Sequence, residues 1–492
     1  MSQINVDDLS FCYDGSYDMV FEHVSFQVDT DWRLGLIGRN GCGKTTLLNL
    51  LMGKYPYKGT IASAVPFDYF PFAVADSSEI TMDVARGICP GAEEWQLLRE
   101  LNLLAVPQEA LWRSFGTLSN GEQTKVLLAA LFSKENNFLL LDEPTNHLDA
   151  QARRTVADYL CQKKGFILVS HDRNFLDRCI DHVLSINRTN IEIRNGTFSV
   201  WIQNKERQDV HELEQNIQLK KEIGRLAKTA RQKKGWSQKV ECSKKGERTA
   251  GLRPDRGYIG HKAAKMMKRA KTAERRAEKA AEEKAKLLKN VEKMEDVFVH
   301  PLVHHANRLI EYRDVFLRYG EKEVCGPVNF TLENGERIAL RGKNGCGKSS
   351  VLKLVCGESV EFRGSFRSAS GLVISYVPQD PSFLSGSLER FAEESSLDRT
   401  LFLTLLRKLD FSRSQFEKSM ENFSAGQKKK VLLAKSLCER AHLYVWDEPL
   451  NYIDVLSRMQ IERLLRECAP TMLFVEHDSA FEEGVATKTI EL

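Results

Sequence analysis

Nothing in this chain of 492 residues provides the roughly 18 to 20 consecutive apolar residues that a membrane-spanning helix needs. Met1 to Ser10 has neither the basic start nor the apolar stretch of a secretory signal. These absences exclude a helical membrane protein and predict a cytoplasmic location. The 11 cysteines are scattered, and no two stand as C-x-x-C. Cys42 and Cys346 lie inside glycine-rich loops that a disulfide would distort, so all the cysteines are expected to be thiols. Excess charge is also scarce, at a formal net +4. With 42% hydrophobic and 28% charged residues, the composition is that of an ordinary globular protein of about three domains.

The small net charge hides a lopsided distribution. Lys205 to Asn290 holds 26 Lys/Arg against 12 Asp/Glu, which leaves the rest of the chain acidic. A basic insert between two acidic lobes points to a polyanionic partner contacted by the insert.

The lobes are a repeat. Gly38-Arg39-Asn40-Gly41-Cys42-Gly43-Lys44-Thr45 returns 304 residues later as Gly342-Lys343-Asn344-Gly345-Cys346-Gly347-Lys348-Ser349. Each copy follows an apolar strand (Arg33 to Ile37; Arg337 to Leu340) and precedes a Leu/Val-rich helical run that begins with Thr45-Thr46 or Ser349-Ser350. Glycines let successive backbone N–H groups point inward and cradle phosphates at a helix N-terminus. Lys44 and Lys348 can neutralise phosphate charge, and the Thr45 and Ser349 hydroxyls can ligate Mg²⁺. One such octet arises by chance; two in matched contexts do not.

Downstream motifs keep the same order. Leu118-Ser119-Asn120-Gly121 and Phe423-Ser424-Ala425-Gly426 each open an Ala/Leu-rich helix, making a second anion-binding end. Apolar strands then end in acids, Leu141-Asp142-Glu143-Pro144 and Trp446-Asp447-Glu448-Pro449. An aspartate there can hold Mg²⁺, and the next glutamate can deprotonate an attacking water. Asn146 to Asp149 matches Asn451 to Asp454, and two further strands end in His171-Asp172 and His477-Asp478. Any of these residues alone would be read as surface; the shared order outweighs that reading.

On these residues the chain resembles an ATP-binding-cassette ATPase with both cassettes on one polypeptide. The resemblance implies an α/β fold of two P-loop ATPase domains, with ATP and Mg²⁺ as ligands. By it Asp142 and Asp447 are metal acids, Glu143 and Glu448 catalytic bases, and His171 and His477 γ-phosphate sensors. Ser119 with Gly121, and Ser424 with Gly426, match the signature motif that completes the opposite cassette's site, so the Lys44 loop would face Ser424 and the Lys348 loop Ser119. Tyr13 and Tyr319 occupy the adenine-stacking places, with Phe11 the rival of Tyr13. Gln379, in Tyr376-Val377-Pro378-Gln379, matches the family's metal-ligating glutamine, whereas the first copy reads Tyr69-Phe70-Pro71-Phe72. Phenylalanine can neither ligate Mg²⁺ nor relay a water. The signatures carry Asn120 and Ala425 in place of the usual third-position glycine, and the second copy's Leu450-Asn451-Tyr452-Ile453-Asp454 departs from the more usual Thr145-Asn146-His147-Leu148-Asp149. Unequal turnover at the two sites is expected.

The domain boundaries expected are 1–204, 205–298 and 299–492. The insert reads as a charged helix to about Lys234, a Gly/Ser/Lys/Arg-rich loop to Gly260, and a second Ala/Lys/Glu-rich helix. Arms of about 30 residues would each reach roughly 45 Å. Lys233, Lys234, Lys239, Lys244 and Lys245, interleaved with Trp236 and Tyr258, suit RNA phosphate contact with base stacking.

Two soluble cassettes joined by a basic helical hairpin resemble the ABC-F family of translation factors. That resemblance implies a 70S ribosome partner, a linker lying in the E site against 23S rRNA and P-site tRNA, and a monomer off the ribosome. Short flanks, no extension beyond Leu492 and a long linker loop resemble its antibiotic-resistance branch, Lsa-like and Vga-like, which displaces lincosamides, pleuromutilins and streptogramin A. A housekeeping regulator of the same family is the alternative. A transporter subunit would need a membrane partner, and a DNA-repair ATPase would need a far longer coiled coil or zinc cysteines; neither membrane nor DNA is expected as a partner.

Overall fold

The computed structural model describes residues 2–14, 19–146, 148–187, 191–212, 301–320, 322–343, 345–409, 411 and 415–492, with 214, 215, 217–219, 221, 225, 261, 264, 265, 268, 272, 275 and 279. The linker residues singled out above, Lys233 to Tyr258, lie outside this set, as do Asn344 and the Tyr319 side chain. Contacts divide the chain into one compact unit of Met1–Trp201 with Asp296–Leu492, and another of Ile202–Glu295.

The first unit is built from two copies of one α/β plan, as the repeat requires. In the first copy five parallel strands stand in the order Phe67–Phe70, Phe138–Asp142, Phe166–Val169, Arg33–Ile37 and His182–Ile186, with Ile191–Asn195 antiparallel at the edge. The second copy repeats the order with Ile374–Val377, Leu443–Asp447, Met472–Val475, Arg337–Arg341 and Lys488–Glu491. These strands read as continuous apolar runs because both faces are covered. Leu443 and Val445 join one core while Tyr444 and Trp446 join the other, as a period of two requires.

One core lies between the parallel sheet, the phosphate-loop helix and an antiparallel sheet of three strands. In the first copy these are Lys44–Leu51 and the strands Met19–Asp29, Gln3–Cys12 and Lys58–Ser63. Their second-copy counterparts are Lys348–Val355 and Lys322–Glu333, Arg308–Tyr319 and Glu361–Ser368. Across the second sheet, its other face packs on the helices Arg399–Lys408, Ala425–Cys438, Val455–Cys468 and Ser479–Val485. Side chains as large as Trp446, Phe474 and Phe402 are fully buried there, each contributing about 1.5–3 kcal/mol.

Topology then positions the chemistry. Strands Phe138–Asp142, Phe166–Val169 and Arg33–Ile37 are neighbours, so their C-terminal ends bring Asp142, His171 and Gly38 to one crevice.

Candidate active sites

Each phosphate loop turns on glycines that no other residue replaces without strain. Gly41 and Gly43 have φ of 83° and 96°, and Gly345 and Gly347 of 80° and 98°; this is left-handed backbone that a Cβ disfavours. A Cβ on Gly38 or Gly342 would stand 2.5 Å from the sulfur of Cys42 or Cys346. The two cysteines therefore pack against glycine inside their loops, and among the described residues every cysteine is a free thiol. Lys44 Nζ donates to the carbonyls of Gly38 (2.7 Å) and Arg39 (3.1 Å), and Lys348 Nζ repeats this with Gly342 (2.8 Å) and Lys343 (2.9 Å).

A cation end lies beside each loop. Thr45 Oγ1 donates to Asp142 Oδ2 at 3.0 Å, and the Tyr69 hydroxyl donates to the same oxygen at 3.0 Å. In the second copy the Ser349 hydroxyl favours the ionised form of the Asp447 carboxyl. Burial pushes the Asp447 carboxyl up, and its Oδ1 is buried without a hydrogen-bond partner. An orphaned carboxylate oxygen next to a hydroxyl fits Mg²⁺, which Thr45 with Asp142, and Ser349 with Asp447, would hold. Thr46 and Ser350, the next hydroxyls along, are buried, and Thr46 Oγ1 shares a 2.7 Å hydrogen bond with the Tyr13 hydroxyl. Tyr13 is half-exposed at the site while Phe11 is buried against it, edge-on at 5.0 Å. Of the two, Tyr13 is the exposed ring.

The glutamates after the acidic strands take left-handed backbone, with φ of 53° at Glu143 and 46° at Glu448. Such a conformation costs about 1–3 kcal/mol and is pinned in each copy by a backbone bond from the neighbouring strand, Glu143 N to Val169 O and Glu448 N to Val475 O, both 3.0 Å. The two side chains then diverge. Glu448 is buried, yet donors outweigh burial: His477 Nε2 lies 3.3 Å from Oε1, and Gln379 and Asn451 donate to Oε2 at 2.8 and 2.7 Å. Its carboxyl is drawn down to about 2. Among the described residues Glu143 has no such set. Burial and the neighbouring Asp142 charge push it up to about 8. His171 Nε2 is 3.1 Å from Glu143 Oε1, and among the described residues that buried oxygen has no hydrogen-bond partner. Burial, with the cations Lys44 and Arg458 nearby, holds the His171 imidazole well below its usual range. Phe72, at the place of Gln379, points an exposed ring and no donor.

Signature serines act first as helix caps. Ser119 caps Asn120–Phe132 in a reciprocal box with Glu122, and Ser424 caps Ala425–Cys438 with Gln427. In the first site the opposite cassette arrives at the phosphate loop. Asn40 Nδ2 donates to Tyr452 O at 2.7 Å and Asn40 N to Asp454 Oδ2 at 3.3 Å. A Cβ on Gly426 would stand 2.4 Å from that Tyr452 oxygen and 3.2 Å from Asn40 Nδ2. The Lys44 loop and the second signature are thus brought together. In the second site Gly121 packs near Leu148 of its own cassette, and the arrival from across is Arg153, whose Nη1 donates to His477 O at 3.0 Å.

Several members of the site carry no motif. Lys429, fully buried, donates to the carbonyls of Pro378 (3.0 Å), Asp447 (3.4 Å) and Glu448 (3.0 Å), joining the Gln379 loop to the acidic strand end. Burial lowers its ammonium to about 8 against the pull of surrounding carboxylates. The matching first-copy residue is Thr124. Buried Glu476 accepts from His477 N (2.9 Å) and Leu450 N (3.1 Å), where the first copy has Ser170. The only signal in sequence was charge within otherwise apolar stretches.

Paired phosphate loops, each with an acid, a glutamate and a histidine at adjacent strand ends, define a P-loop ATPase with two sites. The chain belongs to the ABC transporter family, whose pattern matches residues 21–146 and 325–451. Ribosome protection protein VmlR of Bacillus subtilis is 29% identical over 96% of this chain and 83% of its own length. ATP-binding protein Uup of Caulobacter vibrioides is 27% identical over 96% of this chain and 74% of its own. Among solved structures, archaeal ribosome recycling factor aABCE1, in complex with ribosomal stalk protein aP1, superposes with a TM-score of 0.62 at 17% identity, covering 98% of this chain and 87% of that one. The tandem-cassette fold is shared with it. Homology along nearly the whole chain supports the ABC-F resemblance, and ATP hydrolysis is the activity of this chain. Among the described residues no helix is long and apolar enough to cross a membrane.

Proposed function

We propose that the chain is an ABC-F ATPase of the ribosome-protection kind. It would bind the 70S ribosome at the E site and use its 205–298 linker, against 23S rRNA and P-site tRNA, to displace lincosamide, pleuromutilin or streptogramin A drugs. The observation that carries this reading is the likeness to VmlR across 96% of the chain, in a sequence whose positive surplus is confined to the insert between cassettes. The Lsa-like or Vga-like branch, cytoplasmic location and monomeric state off the ribosome belong to the same proposal.

In the ATP cycle Glu143 and Glu448 would take the proton of the attacking water, oriented by His171 and His477. Lys44, Lys348 and the loop N–H groups would hold the phosphates, Tyr13 and Tyr319 would stack on adenine, and Gln379 would move from Glu448 toward Mg²⁺ when the site fills. Mg²⁺, when bound, supplies charge neutralisation at the β- and γ-phosphates. A housekeeping role is favoured instead by the likeness to Uup, named for ATP binding alone. A drug-susceptibility panel on cells with and without the protein separates the two. Raised tolerance to these large-subunit drugs supports protection; no shift for any of them favours the housekeeping role.

A further inference from the structure

Arg153 lies one turn into the helix Ala150–Cys161, four residues after Asp149, which caps that helix through Ala152 N. Its Nη1 makes two contacts with different owners. One is the carboxylate of Asp172, 3.5 Å away in the same cassette. The other is the carbonyl of His477, 3.0 Å away in the opposite cassette. Both flanking residues adjoin catalytic groups. Asp172 follows His171, whose Nε2 is 3.1 Å from Glu143 Oε1, and His477 Nε2 is 3.3 Å from Glu448 Oε1.

Glu143, His171, Asp172, Arg153, His477 and Glu448 therefore form one continuous chain of contacts from one catalytic carboxylate to the other. Asp172 is held in place by capping the helix Arg173–Cys179 through Phe175 N at 3.0 Å, so it is a firm anchor. Arg153 and Asp172 are mostly buried, so their attraction is weakly screened. The equivalent Arg458 bonds to Asp478 (3.2 Å) and to the Ile453 carbonyl (2.9 Å) of its own cassette. Of the two equivalent arginines, Arg153 is the one that bonds across the cassettes among the described residues, where Arg173 to Glu462 and Asn174 to Ser479 also cross.

We propose that Arg153 is a positioning residue that couples the two ATP sites. Because its His477 partner belongs to the other cassette, the bond exists only when the cassettes meet, which gives the link the two discrete states that coupling needs. Movement of the His477 backbone when the second site turns over releases Nη1, which then keeps its contact with Asp172. The position of His171 beside Glu143 changes with it. The second site in this way sets when the first one fires.

A double-mutant cycle on ATP turnover by the full chain tests this: wild type, Glu448→Gln, Arg153→Gln and the double variant. With the second site stalled in Glu448→Gln, an intact link holds the first site back. Adding Arg153→Gln should raise the residual turnover at least about fivefold above the product of the single effects, the lower end of ordinary site-to-site coupling. The change should fall on kcat with the KM for ATP within about twofold. Arg153→Lys, which keeps the charge, should retain part of the coupling and stands in should the glutamine variant not fold. Arg154→Gln, on the exposed side of the same turn, should give no coupling. Strictly multiplicative effects, or equal coupling from Arg154→Gln, would overturn the proposal. Multiplicative kinetics with a lowered melting temperature would assign Arg153 to stability alone.

Discussion

Gln379 donates its amide hydrogen to Glu448 across 2.8 Å, and the answering position of the first cassette holds Phe72. That substitution removes one of the donors that set the second glutamate apart from the first; His477 and Asn451 supply the others. The glutamate with three polar neighbours is drawn down to about 2, and the one without them rises to about 8. Lys429 widens the difference, since it clamps the backbone on both sides of the second site and has a threonine as its counterpart.

The second site should therefore carry most of the turnover. Glu448→Gln is expected to reduce steady-state ATP hydrolysis by tenfold or more, as loss of a general base commonly does, and Glu143→Gln by much less. Phosphate-release assays on the two single variants decide it, and equal or reversed losses reject the asymmetry.

Their pH profiles should differ in a fixed direction. A general base acts when deprotonated. With Glu143 near 8, first-site turnover in Glu448→Gln should climb as pH rises from 7 to 9. Turnover in Glu143→Gln relies on Glu448, which stays ionised throughout, and should be flat between pH 6 and 8. A flat profile in both variants would count against the environments described for the two carboxylates.

Closure should be sensitive at Gly426. A methyl there would stand 2.4 Å from the Tyr452 carbonyl, which is backbone and cannot swing aside. Gly426→Ala should lower ATP turnover by an order of magnitude through loss of the closed arrangement, because a displacement of about 1 Å costs about a hundredfold in a positioned reaction. Fluorescent ATP binding to the open cassettes should remain. Turnover at the wild-type rate would show that the contact with Asn40 and Tyr452 is dispensable.

Lys429→Met removes a buried ammonium and leaves three carbonyls without their donor. Chemical denaturation should show a loss of about 2–4 kcal/mol, with the stronger effect on hydrolysis at the second site. An unchanged denaturation midpoint would show that these carbonyls find other partners.

For the linker, reversing the charges of Lys233, Lys234 and Lys239 should weaken ribosome binding and flatten its salt dependence, because each lost phosphate contact removes a share of counterion release. Sedimentation with 70S particles across a salt series measures the slope; an unaltered slope removes these lysines from the interface.

The repeat and its apolar strands made the two cassettes legible in the amino-acid order alone. A continuous apolar run ending in an acid, or glycines spaced around a lysine, constrains the backbone locally, and the family resemblance those residues carry implied the α/β tandem fold. The amino-acid order also exposed Phe72 as the break in symmetry. It could not give Arg153 or Lys429 their partners, or Glu476 its bond from Leu450 N, because those lie on strands and loops tens to hundreds of residues away, and a lone charged residue reads as surface. Nor could it show that Glu143 and Glu448, identical in type and each following an aspartate, are pushed in opposite directions. Local sequence specifies which groups each cassette possesses; only packing decides how deeply they are buried and which donors reach them, and a carboxylate's charge depends on those two quantities.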